Sequence, residues 1–535
     1  MAVAIQETVM NKQHNDKNFV LALDNGTQSV RALLFDLSGN LIVKSKIDIE
    51  PYFSKQPGWA EQEVNYYWQM LSKACQSLWP QLASLNISKA QIKAISLTCQ
   101  RATMVNVDSQ GQPLRPAIVW LDQREQIEQD KMSWYWRALF RFVGEKQTID
   151  YFRSQAEANW IKHQQPDIWN KTHKFMLLSG YHSYKLTGNY VDSVSSQVGY
   201  LPFDFKRHAW CKPFDWRWQA LPIKKAMLPT LIPCGDELGK ISKQAAHETG
   251  IPEGLPLISA GSDKACEVLG SGCLSPDIGS LSYGTTATYN TTSTKYVEAI
   301  KRLPAYPAAI PHRFNTELIV QRGYWMVSWF KREFGLKEQQ IADQQGIATE
   351  VLFDDLLKQV PAGSMGLVLQ PYWNPGIRTP GPEAKGAMIG FGDVHTRAHI
   401  YRAIIEGIGY ALREGKELSE KKSGVNITKM MVSGGGSQSD EAMQITADIF
   451  GMPVQRPHTF ETSGLGAAIN AAVGVGLFED YEKAVTSMTH GGDIFTPIKE
   501  NTEIYNALYQ SVYKKMYERL NPLYNAIRKI TGYPR

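Results

Sequence analysis

The stretch FVLALDNGTQSVRALLFD, residues 19–36, decides how the chain folds. Its apolar run Phe19–Leu23 predicts a buried strand, and the polar segment Asp24–Thr27 predicts a turn. Arg31–Asp36 predicts a second strand, and a further glycine turn leads into a third strand at Leu41–Val43. The expected result is an antiparallel meander, which differs from the βαβ opening of a dinucleotide-binding fold.

A second hairpin of the same kind lies much later in the chain. Gly279–Tyr283 and Ala287–Thr291 predict two strands, and the turn Gly284-Thr285-Thr286 again combines glycine with hydroxyl side chains. We interpret the two hairpins as an internal repeat, in which each of two α/β halves opens with its own turn. Two such halves would face each other across a cleft, which is the usual place for a ligand site.

The repeat divides the chain near Leu257–Gly261. We therefore expect a polar, disordered N-terminal extension at residues 1–17, a first domain at residues 18–260 and a second domain at residues 261–535.

Four other segments have a clear periodicity. Tyr66–Leu82 predicts a helix, Ile92–Leu97 predicts a strand, and the Trp-rich segment Trp134–His182 predicts a helical insertion. A helix is also expected over Thr396–Lys416, where small residues recur every four positions at Ala403, Gly407 and Ala411. Such a stripe allows another element to approach closely.

A glycine loop near the end of the chain predicts an anion or nucleotide site. Lys429–Val432 predicts a strand, Ser433–Gly436 supplies the sequence Ser-Gly-Gly-Gly, and Asp440–Phe450 predicts a helix that stops at Gly451. In a strand, glycine loop and helix of this order, the helix N-terminus and the free loop amides point at the ligand. A flexible corner is the alternative interpretation.

The bulk composition excludes several classes of function. The 535 residues include 57 Lys and Arg against 52 Asp and Glu, and a net charge of +5 is too small to indicate nucleic acid or an anionic membrane as partner. The 6 cysteines form no CxxC pair and the 11 histidines are scattered, which excludes a zinc-like cluster and is typical of a reducing compartment. There is no signal peptide, no membrane-spanning apolar run and no P-loop, so we expect a soluble cytoplasmic protein.

Two aspartates occupy positions suited to phosphoryl transfer, which requires donors for phosphate, a carboxylate-held cation and a base for the attacking hydroxyl. Asp24 precedes a glycine and hydroxyl turn, and Arg31 adds a positive charge behind it. Asp263 follows a predicted strand and a turn of small residues. Each also has a structural interpretation, because Asp24 would accept the amides of a hairpin turn and Asp263 would serve as a helix N-cap.

At this point the chain resembles the FGGY carbohydrate kinases, which include glycerol kinases, xylulokinases and ribulokinases. The most specific match is Gly386–Phe391, followed by His399-Ile400 and Ala403–Glu406. Eight other segments match in the same order over Asn18 to Ala484: LDNGTQSVRALLFD from Leu23, PGWAEQ from Pro57, PAIVWLDQR from Pro116, LTGNYVDS from Leu186, GSDKACEVLG from Gly261, YGTT from Tyr283, SGGGSQSDEAMQITADIFGMPVQRP from Ser433 and ETSGLGAA from Glu461.

The resemblance implies an α/β fold of two actin-like, ribonuclease-H-like ATPase domains, with ATP and sugar meeting in the interdomain cleft. It also implies ATP and Mg2+ as cofactors, Asp263 as general base, and Asp24 with Asp263 as the magnesium carboxylates. The terminal phosphates would be held by Thr27, Gln28, Ser29, Arg31, Gly284 and Thr285. The adenosine would be bordered by Gly434, Gly435 and Ser439. The sugar would be contacted by Gln100, Arg101, Trp120 and Asp122.

The chain departs from the family's better-known members in its expected substrate pocket. Ala102 stands where glycerol kinases carry a glutamate, and Arg101-Ala102 also differs from the Met-His of xylulokinases. Lys264 replaces the usual amide after the base, where it would lower the pKa of Asp263 or bind a substrate oxygen. Glu157 stands near Trp160, where lysine is frequent in the family.

These departures favour a ketopentose of xylulose or ribulose type over glycerol, although a glycerol or short-polyol kinase remains the alternative. An actin-like ATPase that phosphorylates no sugar and a catalytically inactive sensor are alternatives of a different class. The substrate-pocket residues argue against the first, and the presence of both Asp24 and Asp263 argues against the second. A small sugar or polyol is the expected partner, and assembly as a homodimer is left open.

Overall fold

The computed structural model of the chain describes residues 17–374 and 380–533, so that the extension predicted at residues 1–17 lies outside the described residues except for Lys17. Elements are numbered in chain order. The strands of the first half are β1 (Phe19–Asn25), β2 (Ser29–Asp36), β3 (Leu41–Asp48), β4 (Glu61–Gln62), β5 (Ile92–Cys99), β6 (Met104–Val107), β7 (Ala117–Ile118), β8 (Lys174–Leu177), β9 (Val191–Ser193), β10 (Phe203–Asp204), β11 (Ala209–Trp210), β12 (Thr230–Ile232), β13 (Glu237–Lys240) and β14 (Pro256–Ser259). Its helices are α1 (Val64–Ser84), α2 (Trp134–Phe142), α3 (Lys146–Gln155), α4 (Glu157–Gln164), α5 (Pro166–Lys171), α6 (Leu178–Thr187), α7 (Arg217–Ala220), α8 (Lys243–Thr249) and α9 (Asp263–Gly270).

The second half has fewer strands and longer helices. Its strands are β15 (Ile278–Tyr283), β16 (Ala287–Ser293), β17 (Tyr306–Pro307), β18 (Phe314–Val320), β19 (Val368–Gln370), β20 (Ala387–Ile389), β21 (Lys429–Ser433), β22 (Val454–Pro457) and β23 (Gly491–Phe495). Its helices are α10 (Trp325–Phe334), α11 (Leu336–Gln345), α12 (Thr349–Lys358), α13 (Arg397–Ser423), α14 (Asp440–Phe450), α15 (Thr462–Gly474), α16 (Tyr481–Met488), α17 (Lys499–Leu508) and α18 (Lys514–Thr531).

The two main sheets share one core topology. The first has the order β13-β14-β5-β1-β2-β3, with β1 antiparallel to β2 and parallel to β5. The second has the order β17-β18-β16-β15-β21-β22-β23, with β15 antiparallel to β16 and parallel to β21. Each sheet therefore joins an antiparallel meander to two parallel strands, and β1 and β15 hold equivalent central places. The α/β class and the repeated hairpins are confirmed, while the division at 260/261 stays a prediction.

The continuous apolar sequence of β1 reflects burial on both faces of the first sheet. Phe19, Leu21 and Leu23 pack in the cluster that contains the buried face of α1. Val20 and Ala22 point to the opposite face and pack in the cluster that contains α15. Because a strand that alternates between two covered faces needs apolar residues at every position, the run Phe19–Leu23 has no polar residue until Asp24.

Several local predictions are confirmed and one is corrected. The predicted helices at 66–82, 396–416 and 440–450 are present as α1, α13 and α14. A methyl group on Gly407 would lie 2.6 Å from Leu369, which confirms the close approach expected along the small-residue stripe. The insertion at 134–182 is not helical throughout, because β8 pairs with β6 and adds a strand to a small sheet. Within the described residues, no helix is long and apolar enough to cross a membrane.

Two helices that follow equivalent strands pack against each other between the sheets. These are α9, which follows β14, and α15, which follows β22. Methyl groups on Gly270 and Gly466 would lie 2.0 and 1.9 Å from backbone oxygens of the opposite helix, so glycine is required at both crossing points. The segment from Glu461, which resembled a closing helix on the nucleotide side, packs as α15 on β1 and β5 of the first sheet. A helix of the second half therefore covers the sheet of the first half.

Candidate active site

The first carboxylate of the site lies at the end of β1. Asp24 is 3% exposed, and its Oδ2 accepts a hydrogen bond from Arg31 Nη1 at 3.1 Å, across the β1–β2 hairpin. The same Nη1 donates to Glu461 Oε2 at 2.9 Å, and Lys44 also pairs with Glu461. Burial raises the pKa of Asp24 to about 6, and the carboxylates of Glu461 and Asp263 add to this against the opposing effect of Arg31. Burial is thus the main reason why this carboxylate is harder to ionise than a free one.

The second carboxylate begins α9. Ser262 is the N-cap position and Asp263 is the first helical residue, so the N-cap interpretation of Asp263 is wrong by one residue. Asp263 Oδ1 accepts a hydrogen bond from the Lys264 amide at 2.8 Å. Burial raises the pKa of Asp263, and although Arg101 and Lys264 both lower it, burial dominates. The expectation that Lys264 lowers the pKa of Asp263 is confirmed, although burial has the larger effect.

Arg101 connects the first half to the second beside Asp263. Its Nη1 and Nη2 donate to the two carboxylate oxygens of Glu317 on β18, at 2.8 and 2.5 Å, and its guanidinium lies 5.3 Å from the ring centre of Tyr306. Its Nε is buried, lies 3.9 Å from Asp263 Oδ1 and has no hydrogen-bond partner within the described part of the chain. A buried donor without a partner costs about 1–3 kcal/mol. A substrate hydroxyl between Arg101 Nε and Asp263 would satisfy it.

Three predicted residues form one chain of hydrogen bonds. Trp120 Nε1 donates to Thr27 Oγ1 at 3.0 Å, and Thr27 Oγ1 donates to Gln100 Oε1 at 2.9 Å. Gln100 Nε2 in turn donates to the buried Tyr67 hydroxyl at 3.2 Å. The sugar-side residues Gln100 and Trp120 are thus held directly against the glycine turn that follows Asp24.

Asp122 was predicted to contact the sugar, but its carboxylate oxygens already accept several hydrogen bonds from the protein. Arg124 donates three hydrogen bonds to it, at 2.7, 2.7 and 2.9 Å, and the Ala60 amide donates one at 2.6 Å. Arg124 also lies over the rings of Trp59 and Trp160, at 4.1 and 4.4 Å. The geometry supports a role for Asp122 in holding Arg124 against an aromatic wall formed by Trp59 and Trp160. The contact of Asp122 with a sugar stays a prediction.

Glu157 lies close to the same wall, at the start of α4. Its half-buried carboxylate has a pKa raised to about 7, mainly by burial, with Asp122 raising it further and Arg124 lowering it. The lysine that is frequent in the family at this point would have reversed the charge. A carboxylate in this position offers hydrogen-bond acceptors to a hydroxylated ligand.

The predicted phosphate residues of the first half surround the β1–β2 turn. Arg31 Nε donates to Ser29 Oγ at 3.2 Å, and the Gln28 carbonyl accepts from the Ile49 amide at 2.9 Å. Gln28 is exposed, and Thr27 is half-buried. Arg31 thereby joins Asp24, Ser29 and the distant Glu461 into one charged cluster.

The turns of the second half lie at neighbouring strand ends. Ser282 on β15 pairs with Ser433 on β21, so the turns that begin at Gly284 and Gly434 emerge side by side. Gly434 has a φ of +87° and no room for a side chain, since a methyl group would lie 2.8 Å from the Tyr283 backbone. A methyl group on Gly435 would meet nothing within 4 Å, and Thr285 is exposed. Ser439 caps α14 by accepting the Ala442 amide at 3.0 Å and donates to Asp354 at 2.5 Å.

Four residues of this site were missed by sequence reasoning: Glu267, Tyr306, Glu317 and Glu461. Glu461 stands within a quoted segment, and its position just before a helix was the only available signal. Glu317 lies in a strand with no motif around it, so its pairing with Arg101, 216 positions away, had no local signature.

Comparisons with known proteins identify the family of the chain. The sequence profile of the FGGY family of carbohydrate kinases, N-terminal domain, matches residues 19–270, and that of the C-terminal domain matches residues 279–475. A relative named "Uncharacterized sugar kinase YgcE" from Escherichia coli is 30% identical over 94% of this chain and 93% of its own length. A xylulose kinase from Lactococcus lactis is 27% identical over 94% of this chain and 97% of its own. A glycerol kinase from Dechloromonas aromatica is 30% identical over 91% of this chain and 94% of its own.

Solved structures show the same fold. The xylulose kinase from Rhodospirillum rubrum superposes with a TM-score of 0.76 at 24% identity, covering 95% of this chain and 100% of that one. The Plasmodium falciparum glycerol kinase superposes with a TM-score of 0.75 at 18% identity, covering 93% and 98%. The chain therefore belongs to the FGGY family of carbohydrate kinases, has that family's two-domain actin-like fold, and is a phosphotransferase with an alcohol group as acceptor.

Proposed function

We propose that this carbohydrate kinase transfers the terminal phosphoryl group of ATP to a hydroxyl of a ketopentose of the xylulose or ribulose type. The observation that carries the proposal is the pair formed by Arg101 Nε, a buried donor without a partner in the described structure, and Asp263 Oδ1, an acceptor 3.9 Å away. A hydroxyl both accepts and donates, so one sugar hydroxyl satisfies both groups at once.

The catalytic step follows from this pair. Asp263 takes the proton of the bound hydroxyl while the oxygen attacks the terminal phosphorus, the bond from that phosphorus to the ADP oxygen breaks, and the sugar leaves as its phosphate ester. Burial raises the pKa of Asp263, which suits a carboxylate that must accept a proton. Arg101 Nε holds the hydroxyl oxygen, and Glu317 keeps the guanidinium in place through its two hydrogen bonds.

The residues of the site fit a magnesium ion. Asp24 is buried among Glu461, Asp263 and Glu267, and its raised pKa records the repulsion and desolvation that a divalent cation would relieve. Mg2+ commonly uses one or two carboxylates together with waters and substrate phosphates, so Asp24 and Asp263 suffice as protein ligands. When bound, the ion would neutralise charge on the transferring phosphates.

The ketopentose is supported by relatives and by position 102. Xylulose kinases of 26–27% identity match over 94–96% of this chain. Position 102 carries an alanine, which has no carboxylate to accept a hydrogen bond from a polyol, and its Cβ would lie 3.7 Å from a methyl group built on Gly199. The glycerol kinase relatives, at 27–30% identity, keep glycerol as the second candidate.

A coupled assay of ADP release over sugars and polyols of three to six carbons tests the proposal, with the phosphate of each product located by NMR. We expect the highest kcat/KM for a ketopentose. Equal or higher kcat/KM for glycerol would restore the second candidate, and ATP hydrolysis that no sugar or polyol stimulates would overturn the kinase mechanism. Assembly as a homodimer stays a prediction that light scattering of the purified chain would check.

A further inference from the structure

Lys264, which the sequence analysis predicted to contact the substrate, is bonded to its own helix and to the second sheet. From the first turn of α9 its Nζ donates to Glu267 Oε2 at 2.8 Å and to Ser282 Oγ at 2.6 Å. Ser282 belongs to β15, so the side chain crosses from the helix that carries Asp263 to the central strand of the second sheet. Its side chain is 22% exposed, so part of it remains accessible.

The ammonium group of Lys264 lies beside the turn that begins at Gly284. A methyl group built on Gly284 would lie 3.8 Å from Lys264 Nζ. Glu267, the ion-pair partner of Lys264, accepts a second hydrogen bond through Oε1 from Ser433 Oγ at 2.7 Å. Ser282 is the last residue but one of β15, and Ser433 is the last residue of β21, just before the two glycine turns. The cation next to the proposed base is thus bonded to β15 directly and linked to β21 through Glu267.

The charge and hydrogen-bonding capacity of Lys264 remain available to a ligand. The side chain is an ammonium ion, which is the ordinary state of a lysine near neutral pH, and its Nζ is ion-paired with Glu267 Oε2 at 2.8 Å. An ammonium group has three N–H donors. Two of them are used by Glu267 and Ser282, and no third acceptor is found within residues 17–374 and 380–533.

We propose that Lys264 is a catalytic residue that binds the transferring phosphoryl group, rather than a sugar-binding residue. Its third N–H would donate to a terminal phosphate oxygen of ATP and hold that oxygen while the phosphoryl group passes to the hydroxyl deprotonated by Asp263. This inference rests on the proposed function, because it assumes that Asp263 and Gly284 flank the transferred group. Fixed cations aimed at the charge of the transition state are among the strongest contributors to phosphoryl transfer.

The test compares Lys264→Gln and Lys264→Arg with the wild-type protein by titration calorimetry, without turnover. The ligands are the non-hydrolysable analogue β,γ-imido-ATP, ADP and the best sugar from the screen, each added alone with magnesium. We expect Lys264→Gln to weaken binding of the ATP analogue about tenfold and to change binding of ADP and sugar by less than twofold. In turnover assays, kcat should fall by about 10²–10³-fold, and Lys264→Arg should recover part of both losses.

Lys416→Gln is the matched control. Lys416 on α13 forms the same kind of helical ion pair, with Nζ 2.8 Å from Glu420 Oε1 and a side chain 17% exposed, but it lies outside the site. It should leave all three affinities unchanged. If Lys264→Gln weakens sugar binding and leaves nucleotide binding unchanged, the inference is wrong and Lys264 contacts the sugar. If the variant weakens binding of the ATP analogue and of ADP equally, the inference is also wrong and the role of Lys264 is structural. The comparison of the ATP analogue with ADP requires no sugar. Its result therefore does not depend on whether the proposed ketopentose is the substrate.

Discussion

Glu317, on β18 of the second sheet, accepts two hydrogen bonds from the guanidinium of Arg101, which follows β5 of the first sheet, at 2.8 and 2.5 Å. The Glu317 side chain is 1% exposed and that of Arg101 is 15% exposed. The pair thus spans the two halves of the chain directly beside the proposed base. It fixes Arg101 Nε, the donor that we propose binds a substrate hydroxyl.

Glu317→Gln should weaken both the fold and sugar binding. Removing one partner of a buried ion pair leaves the other charge uncompensated and typically costs 3–5 kcal/mol. We expect a loss of about 3 kcal/mol in the free energy of unfolding by urea denaturation, together with a higher KM for sugar and a smaller change in KM for ATP. Glu338→Gln is the control, because Glu338 makes a similar two-bond pair, at 2.6 and 2.6 Å, with Arg397, whose side chain is 34% exposed and therefore solvated. Its loss should be about 1 kcal/mol or less, and an equal loss in both variants would contradict the role of Glu317.

Asp263→Asn should abolish most of the turnover while nucleotide binding persists. A positioned base contributes about 10²–10⁴-fold, and the amide cannot accept the proton of the hydroxyl. We expect kcat to fall within that range and the affinity for β,γ-imido-ATP, measured by calorimetry, to change by only a few fold. Retention of more than about a tenth of wild-type kcat would show that Asp263 is not the base.

The pH dependence of stability should record the burial of Asp24. Its pKa is raised from 3.8 to about 6 in the folded chain, so the folded state holds this proton more tightly than the unfolded state does. The stabilisation from the protonated form is therefore complete below about pH 4 and is lost as the pH rises through about 6. A shift of this size corresponds to roughly 3 kcal/mol.

Asp24→Asn removes that titration. In the absence of magnesium, the loss of unfolding free energy between pH 4 and pH 8 should be smaller in Asp24→Asn than in wild type by up to about 3 kcal/mol. Magnesium with ATP should raise the melting temperature of the wild type more than that of the variant, because the ion would bind the ionised carboxylate. Identical pH profiles, or the same half-saturating magnesium concentration for activity, would identify Asp24 as a turn residue alone.

The elements that the sequence predicted were those with a local signal. The β1–β2 hairpin, β21 and α14 each combine a continuous or periodic apolar pattern with glycine or polar boundaries, and each was found within a few residues of its expected bounds. Turns that combine glycine with hydroxyl residues also supplied the candidate residues Thr27, Gly284 and Gly434. Their roles toward phosphate and nucleotide came from the resemblance to the family and stay predictions.

What the sequence did not predict depends on contacts between distant segments. Lys264 follows Asp263, so it was expected on the sugar side, whereas its side chain extends to Ser282 because Glu267 attracts it there. The position of α15 on the first sheet was missed for the same reason, since a glycine-rich, uniformly apolar helix gives no indication of which sheet it covers. The glycines of α15 allow this placement, but their importance is visible only when the position of the α9 backbone is known.

The crossing of α9 and α15 gives a prediction about Gly466. In an exposed helix, glycine to alanine stabilises by about 1 kcal/mol. Here a methyl group would lie 1.9 Å from the Cys266 carbonyl oxygen, so Gly466→Ala must push the two helices apart. We expect a net destabilisation of about 1–3 kcal/mol in urea denaturation and a lower kcat, because α9 carries Asp263. A variant as stable as the wild type, or more stable, would contradict the close crossing.

The last prediction concerns substrate choice at Ala102, whose φ of +49° is unusual for a residue with a side chain. A missing hydrogen-bond partner for a hydroxyl costs about 1–3 kcal/mol, so we expect kcat/KM for a ketopentose to exceed that for glycerol by at least about tenfold. Ala102→Glu should narrow this gap by supplying the carboxylate that glycerol kinases carry there. Ala102→Gln is the matched control, because it imposes the same backbone strain and nearly the same side-chain size without the charge. If both variants change the ratio of kcat/KM values equally, side-chain size rather than the carboxylate determines the preference. If the wild type uses glycerol as well as it uses a ketopentose, Ala102 does not select against glycerol.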